Sequence, residues 1–244
     1  MPEILTLYTA KVCPYAHRVE LALAEAKANF KRFEIDLAAK PEWYAPKVNP
    51  ASKVPAVAYG GPDVPADQPS SESTKIAESL VLLEFVADLY PSANLLPKDP
   101  VKRAQARFFI DAVSTKFNPT YFGYSVTGKS SQADLIKAFK DIQALLPETG
   151  YAVGEYSIAD AAIIPFISRL FVGLENDLGL YAIGEGPKTL ELIKTSPELK
   201  RIQQYIQDVT SRTSFVSTFD SEHIKEKAIK RYGNLNATRA TSSQ

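Results

Sequence analysis

Hydrophobic and polar positions change period several times along this chain. Ile4 to Tyr8 is a short apolar run, after which Tyr15, Val19, Ala22, Leu23 and Ala26 recur at helical spacing. Phe33, Ile35 and Leu37 then alternate with charged Arg32, Glu34 and Asp36. The order predicts strand, helix, strand. A loop containing the run KPEWY (40–44) follows, then a strand over Val54 to Tyr59, the turn-rich stretch GGPDVPADQPSS (60–71), a short strand at Thr74 to Ala77 and an apolar helix from Ser79 to about Tyr90. Beyond Pro100 the period is helical: Val101 to Phe117, then Leu135, Ile136, Phe139, Ile142 and Leu145, then Ile158 to Phe171, and last Leu199, Ile202, Tyr205, Ile206 and Val209.

The segment PSANLLPKDP (91–100) holds three prolines and cannot continue a helix, so it reads as a linker. It divides the chain into a sheet-containing domain over 1–90 and an all-α domain over 101–244. A βαβ unit followed by a ββα unit is the order of a thioredoxin-like sheet, so the expected fold class is α/β in the first domain and all-α in the second. Ser157-Ile-Ala-Asp160 has the form of a capping box, with Asp as its fourth residue, and fixes the start of the most apolar helix. Residues 234–244 are polar and read as a frayed end. Asn236-Ala-Thr238 matches a glycosylation acceptor, which is read as coincidence because no secretory signal accompanies it.

Composition narrows the function. Apolar residues make up 45% of the 244 and charged residues 23%, an ordinary globular balance. Lys and Arg number 28, Asp and Glu number 28, so there is no overall field to attract a phosphate backbone or an anionic membrane. Neither nucleic acid nor membrane is an expected partner, and the longest apolar run, AAIIPFI (161–167), is far too short to span a bilayer. One cysteine and two histidines (His17, His223) exclude an intramolecular disulfide and a multi-thiolate metal site, so no metal is expected. The chain reads as cytoplasmic, where thiols stay reduced.

The single cysteine is the chemical focus. Cys13-Pro14-Tyr15-Ala16 follows a strand and opens a helix, and proline is favoured in a first helical turn, so Cys13 belongs at the helix N-terminal edge. Unpaired N–H groups and the positive end of the helix dipole there favour a thiolate. Ala16 stands where a dithiol oxidoreductase has its second cysteine, so Cys13 must exchange with a thiol from solution.

The runs VCPYAHR, KPEWY, NPASKVPAV, ESLVLLEFVADLYP and LLPKDP, in this order, resemble the omega-class glutathione transferases and their fungal relatives. The resemblance extends more loosely to the helical domain through SIADA and SPELKRI. It implies the glutathione transferase fold, glutathione as co-substrate with no permanently bound cofactor, and a homodimer. It assigns the mixed disulfide with glutathione to Cys13, with Pro14 beside it, a cis Val54-Pro55 bond to the backbone that pairs with the cysteinyl moiety, and the γ-glutamyl end to Glu78 and Ser79. One departure is visible: the lysine that usually precedes the PEW segment is Ala38 here, which leaves Lys40 and Lys53 as candidates for the glycyl end. The stretch 61–73 also looks longer than the family's turn and has no assigned role.

The second substrate, hydrophobic or aromatic, is expected between the domains, with Tyr15, Phe109, Tyr121, Tyr124 and Phe171 as aromatic candidates for its wall. The expected activity is glutathione-dependent thiol transfer and removal of glutathione from conjugates, with weak conjugation. The alternative is a non-catalytic carrier of aromatic or polyphenolic molecules. A membrane-inserting relative is disfavoured because Glu78-Ser79 is kept and no long apolar segment is present.

Overall fold

The computed structural model describes residues 3–241, with side chains through Tyr232. The chain divides into two compact units, Met1–Leu96 and Pro97–Gln244.

In the first unit a four-stranded sheet is built from β1 (Leu5–Thr9), β2 (Lys31–Glu34), β3 (Ala56–Tyr59) and β4 (Thr74–Ala77), in the order β2-β1-β3-β4. β1 pairs parallel with β2, with Tyr8 opposite Phe33, and antiparallel with β3, with Tyr8 opposite Ala56; β3 and β4 are antiparallel. The parallel pair requires a crossover, which α1 (Pro14–Glu25) supplies. α3 (Ser79–Leu89) follows β4 and packs against α1. Alternation along β1 separates two faces. Thr9 donates to Glu20 of α1 at 2.8 Å, which turns the Leu5, Leu7, Thr9 side toward that helix. Tyr8 points the other way, into an aromatic cluster with Phe33, Trp43 and Tyr44, the last opening the short α2 (Tyr44–Lys47).

The predicted elements of this unit appear with shifted edges. β2 stops at Glu34, so Ile35 is buried beyond the strand and Leu37 is exposed. β3 begins at Ala56, not Val54, because Pro55 has no N–H for the ladder; the Val54–Pro55 peptide is cis. The stretch 61–73 folds back against the sheet: Tyr8 donates its hydroxyl proton to the Ala66 carbonyl at 2.9 Å, and Lys31 pairs with Asp63 and donates to the Val64 carbonyl. Lys75 donates to the carbonyls of Ser70 and Ser73.

The second unit is helical. α4 (Pro100–Ala112) starts on Asp99, whose carboxylate accepts from the Val101 and Lys102 amides. The helix predicted to end at Phe117 continues to Thr127, because π-helical segments at Val113–Phe117 and Gly123–Thr127 flank α5 (Asn118–Phe122). Pro119 explains the widening at the first of them, since it lacks an N–H and its ring crowds the carbonyl four residues back. α6 (Gln132–Gln143) opens on a second capping box, Ser131 with Asp134. The central α7 (Ile158–Glu175) is buried nearly all round and retains Pro165 inside it. α8 (Glu185–Thr195), α9 (Lys200–Thr210), α10 (Thr213–Thr218) and α11 (Ser221–Thr241) complete the unit. The polar stretch expected to fray therefore continues α11 to Thr241, while the side chains of Asn236 and Thr238 lie outside those described.

Asp160 forms the predicted capping box and more. Its two oxygens accept from the amides of Ala152 (2.9 Å) and Ser157 (2.8 Å), the Ser157 hydroxyl (3.3 Å) and the Tyr205 hydroxyl (2.9 Å). Burial lifts its pKa to about 6, and the four donors hold it below where burial alone would place it.

Candidate active site

Cys13 terminates the loop between β1 and α1. Its backbone is extended (φ −81°, ψ 118°), its amide donates to Ala10 at 2.8 Å, and Pro14 occupies the first helical position. The thiol is half-buried beside the aromatic cluster of the outer sheet face, which includes Trp43 and Tyr44. Its Sγ lies 3.8 Å from the Val54 carbonyl oxygen.

The preceding carbonyl, that of Lys53, is held by its loop. Asn49, itself buried, donates through Nδ2 to the Lys53 carbonyl at 2.8 Å, and the Tyr44 hydroxyl donates to the same oxygen at 2.7 Å. The doubly anchored carbonyl fixes the chain just before the cis peptide. Lys40 donates to the Ser52 carbonyl at 2.6 Å and so braces the same loop from outside.

A cavity of about 340 Å3 opens beside the thiol, lined by Tyr15, Asn49, Lys53, Val54, Pro55, Glu78 and Ser79. Of the two lysines proposed for the missing family position, Lys53 is in this wall and Lys40 is not. Cys13 is at the margin, in contact through Val54. Glu78 adopts a left-handed backbone (φ 71°), uncommon for a residue with a side chain, at the turn from β4 into α3. Ser79 is the first residue of α3 and is buried; its hydroxyl accepts from Arg18 Nη1 at 3.1 Å. The α3 start thus brings an acidic side chain, a hydroxyl and helix-end amides to one cavity, a set able to hold both charges of an amino-acid group.

Tyr15 is 37% exposed on the cavity wall, with the Arg18 guanidinium 5.3 Å from its ring centre. Burial raises the Tyr15 pKa, the Arg18 charge acts against that rise and a charge on Cys13 adds to it. Sequence reasoning missed Asn49 and Arg18. No period marks either, because each is a polar residue whose role is to hold another part of the site.

The other aromatic candidates lie in the helical unit. Tyr124 is 1% exposed, stacks on Tyr181 at 4.9 Å, and its hydroxyl donates to Glu185 and bonds Thr189, so its polar end is engaged inside the unit. Tyr121 is buried against Phe122 and Phe166. Phe109 is buried against Tyr205 at the edge of a separate cavity lined also by Phe108, Leu145 and Pro147. Phe171 is half-buried with the Lys194 ammonium 6.0 Å from its ring centre. Among the described residues, no helix is long and apolar enough to cross a membrane, and no group of three acidic, histidine or cysteine side chains is placed to hold a metal ion.

Residues 12–89 match the family model described as "Glutathione S-transferase, N-terminal domain". The chain is 30% identical over 223 residues to glutathione S-transferase L1 of Arabidopsis thaliana, covering 87% of this chain and 85% of that protein. It is 54% identical to glutathione transferase Omega 1C of Trametes versicolor, whose crystal structure superposes with a TM-score of 0.93 over 96% of this chain and 98% of that one. Glutathione transferase Omega 2S of the same organism, solved in complex with 2,4-dihydroxybenzophenone, is 42% identical with a TM-score of 0.87, covering 94% of this chain and 99% of that one.

Proposed function

The chain belongs to the glutathione transferase family and to its omega class, and from that premise we propose that it is a glutathione-dependent thiol transferase that works through a Cys13–glutathione mixed disulfide. The observation that carries this reading is the position of the one cysteine at the start of α1, with Sγ 3.8 Å from the carbonyl oxygen of Val54, a residue that lines the cavity. Cys13 thiolate attacks the glutathionyl sulfur of a mixed disulfide; the Cys13–sulfur bond forms, the old disulfide breaks, and the substrate thiolate leaves and takes a proton from water. A second glutathione thiolate then attacks, releasing glutathione disulfide and restoring Cys13. From a glutathionyl ketone the leaving group is an enolate, protonated on carbon, and the same second step closes the cycle.

In this reading Val54 pairs through its backbone with the cysteinyl moiety, Pro55 holds that backbone outward, and Pro14 keeps Cys13 at the helix edge. Glu78 pairs with the γ-glutamyl ammonium, Ser79 and the adjacent amides hold its carboxylate, and Lys53 reaches the glycyl carboxylate. Lys40 is assigned to bracing the loop. The working protein is a cytoplasmic homodimer.

The test is glutathione-dependent reduction of hydroxyethyl disulfide and cleavage of a glutathionyl-acetophenone, with wild type and Cys13→Ser. Both activities are expected in wild type and lost in Cys13→Ser, with one glutathionyl group found on Cys13 by mass spectrometry. Activity that survives the substitution overturns the assignment.

A second reading, a carrier of aromatic molecules, is favoured by the dihydroxybenzophenone bound to the Omega 2S relative. Tyr15, exposed on the cavity wall, is the aromatic residue best placed to stack on such a ligand. A Cys13→Ser protein that still binds a hydroxylated benzophenone supports it alongside the enzymatic role.

A further inference from the structure

Arg18 takes no part in the chemical steps or ligand contacts proposed above, yet α1 carries its whole side chain inside, where it is 2% exposed. Taking a guanidinium out of water is costly, and burial pulls the pKa of Arg18 down to about 10. Its surroundings are the candidate site itself. Nη1 donates to Ser79 Oγ at 3.1 Å, Cζ lies 5.3 Å from the Tyr15 ring centre, and negative charge on Cys13 or Tyr15 favours its protonated form. One buried cation therefore links the start of α1, which holds the thiol, to the start of α3, which holds Ser79.

We propose that Arg18 is the positioning residue of this site: its charge favours the Cys13 thiolate, and its N–H fixes the Ser79 hydroxyl as a donor toward the ligand. The electrostatic half rests on placement: Cys13 caps α1, and the Arg18 guanidinium lies against Tyr15, two residues from Cys13, and against Ser79. By reciprocity, a thiolate that favours the charged guanidinium is favoured by it to the same extent. Cys13 also acts on Tyr15 from α1 and on Tyr44 from α2, but burial raises both phenols and keeps them neutral near pH 7, leaving Arg18 as the charged member of this set. The hydrogen-bonding half follows from the hydroxyl inventory. Arg18 fills one lone pair of Ser79 Oγ, and the hydroxyl proton remains to be donated to an anion in the cavity. A neutral residue at 18 would leave Ser79 free to rotate and to donate elsewhere. The second half rests on glutathione being the ligand; the first does not.

The experiment separates the two. Because Cys13 is the one cysteine, its alkylation by iodoacetamide across pH 5 to 10 reads the thiol directly and needs no glutathione. Arg18→Gln should move the midpoint up by about one pH unit, Arg18→Lys should restore most of that shift, and Ser79→Ala should leave it in place. Superimposed profiles for wild type and Arg18→Gln overturn the electrostatic half, whatever the variant does to thermal stability. Glutathione binding is then measured by calorimetry in a Cys13→Ser background. Arg18→Gln and Ser79→Ala should each weaken it about tenfold, and the double variant should be no weaker than either one. Additive losses overturn the orienting role. If Arg18→Gln does not fold, Arg18→Lys replaces it in the cycle with Ser79→Ala. A wild type that binds no glutathione refutes the proposed function, while the alkylation profile still decides what Arg18 does to the thiol.

Discussion

At the residue scale, the two lysines offered by the sequence separate by what they touch. Lys40 donates its ammonium to the Ser52 carbonyl and is committed to the loop, whereas Lys53 lines the cavity. Replacing Lys53 by Ala should raise the dissociation constant for glutathione about fivefold, near 1 kcal/mol, the scale of an exposed ion pair. Replacing Lys40 by Ala should change it less than about twofold, with a small loss of stability. Calorimetric titration of both variants checks this, and equal losses would reverse the two assignments. The residues that declare themselves in sequence are those with a backbone reason for their identity: Pro14 at a helix start and Pro55 before a strand. Asn49 and Arg18 stay silent because their partners, the Lys53 carbonyl and the Ser79 hydroxyl, are contributed by other elements and only the fold supplies the pairing.

At the scale of the element, periodicity located α1, α3, α4, α6, α7, α9 and the four strands but few of their ends, and it gave no sign of α11 (Ser221–Thr241), whose apolar positions are too few to make a stripe. β3 loses its first two residues to Pro55, which has no N–H for the ladder, and α4 runs on through π turns, the first of which follows from Pro119. α2 is too short to show a period, and in α8 the exposed face and glycine-containing start dilute it. The capping box at Ser157 is the exception, being a local rule with a local cause. It also makes a pH prediction. Asp160 goes from an ordinary 3.8 in the unfolded chain to about 6 in the fold, so the folded state binds its proton more tightly. The resulting stabilisation is full below about pH 4 and is lost as pH rises through 6, a change of about 3 kcal/mol for a shift of this size. Asp160→Asn does not titrate. Urea unfolding should therefore find the advantage of wild type over Asp160→Asn larger at pH 4.5 than at pH 7.5, by about 2 kcal/mol. An advantage that grows with pH would mean the four donors outweigh burial.

For the whole molecule, the period changes from mixed to purely helical near the prolines of 91–100, and the structure divides the chain into two compact units at Leu96. What the sequence did not convey is how completely the described cavity belongs to the first unit. Tyr15, Asn49, Lys53, Val54, Pro55, Glu78 and Ser79 all precede residue 96, as do Cys13 and Arg18. Tyr124 and Tyr121, by contrast, are spent on packing within the second unit. Aromatic residues at helical spacing carry the same signal whether they face a ligand or a neighbouring helix, so only burial distinguishes them. Stability and thiol chemistry should then respond to different substitutions. Asp160→Asn breaks a buried four-donor network in the second unit and should lower the melting temperature by several degrees. At 20 °C, where the variant is still folded, iodoacetamide should modify Cys13 within about twofold of the wild-type rate, because nothing that sets the thiol's charge has moved. A rate that falls in step with stability would mean that the helical unit governs the thiol, and the site would have to be redrawn to include it.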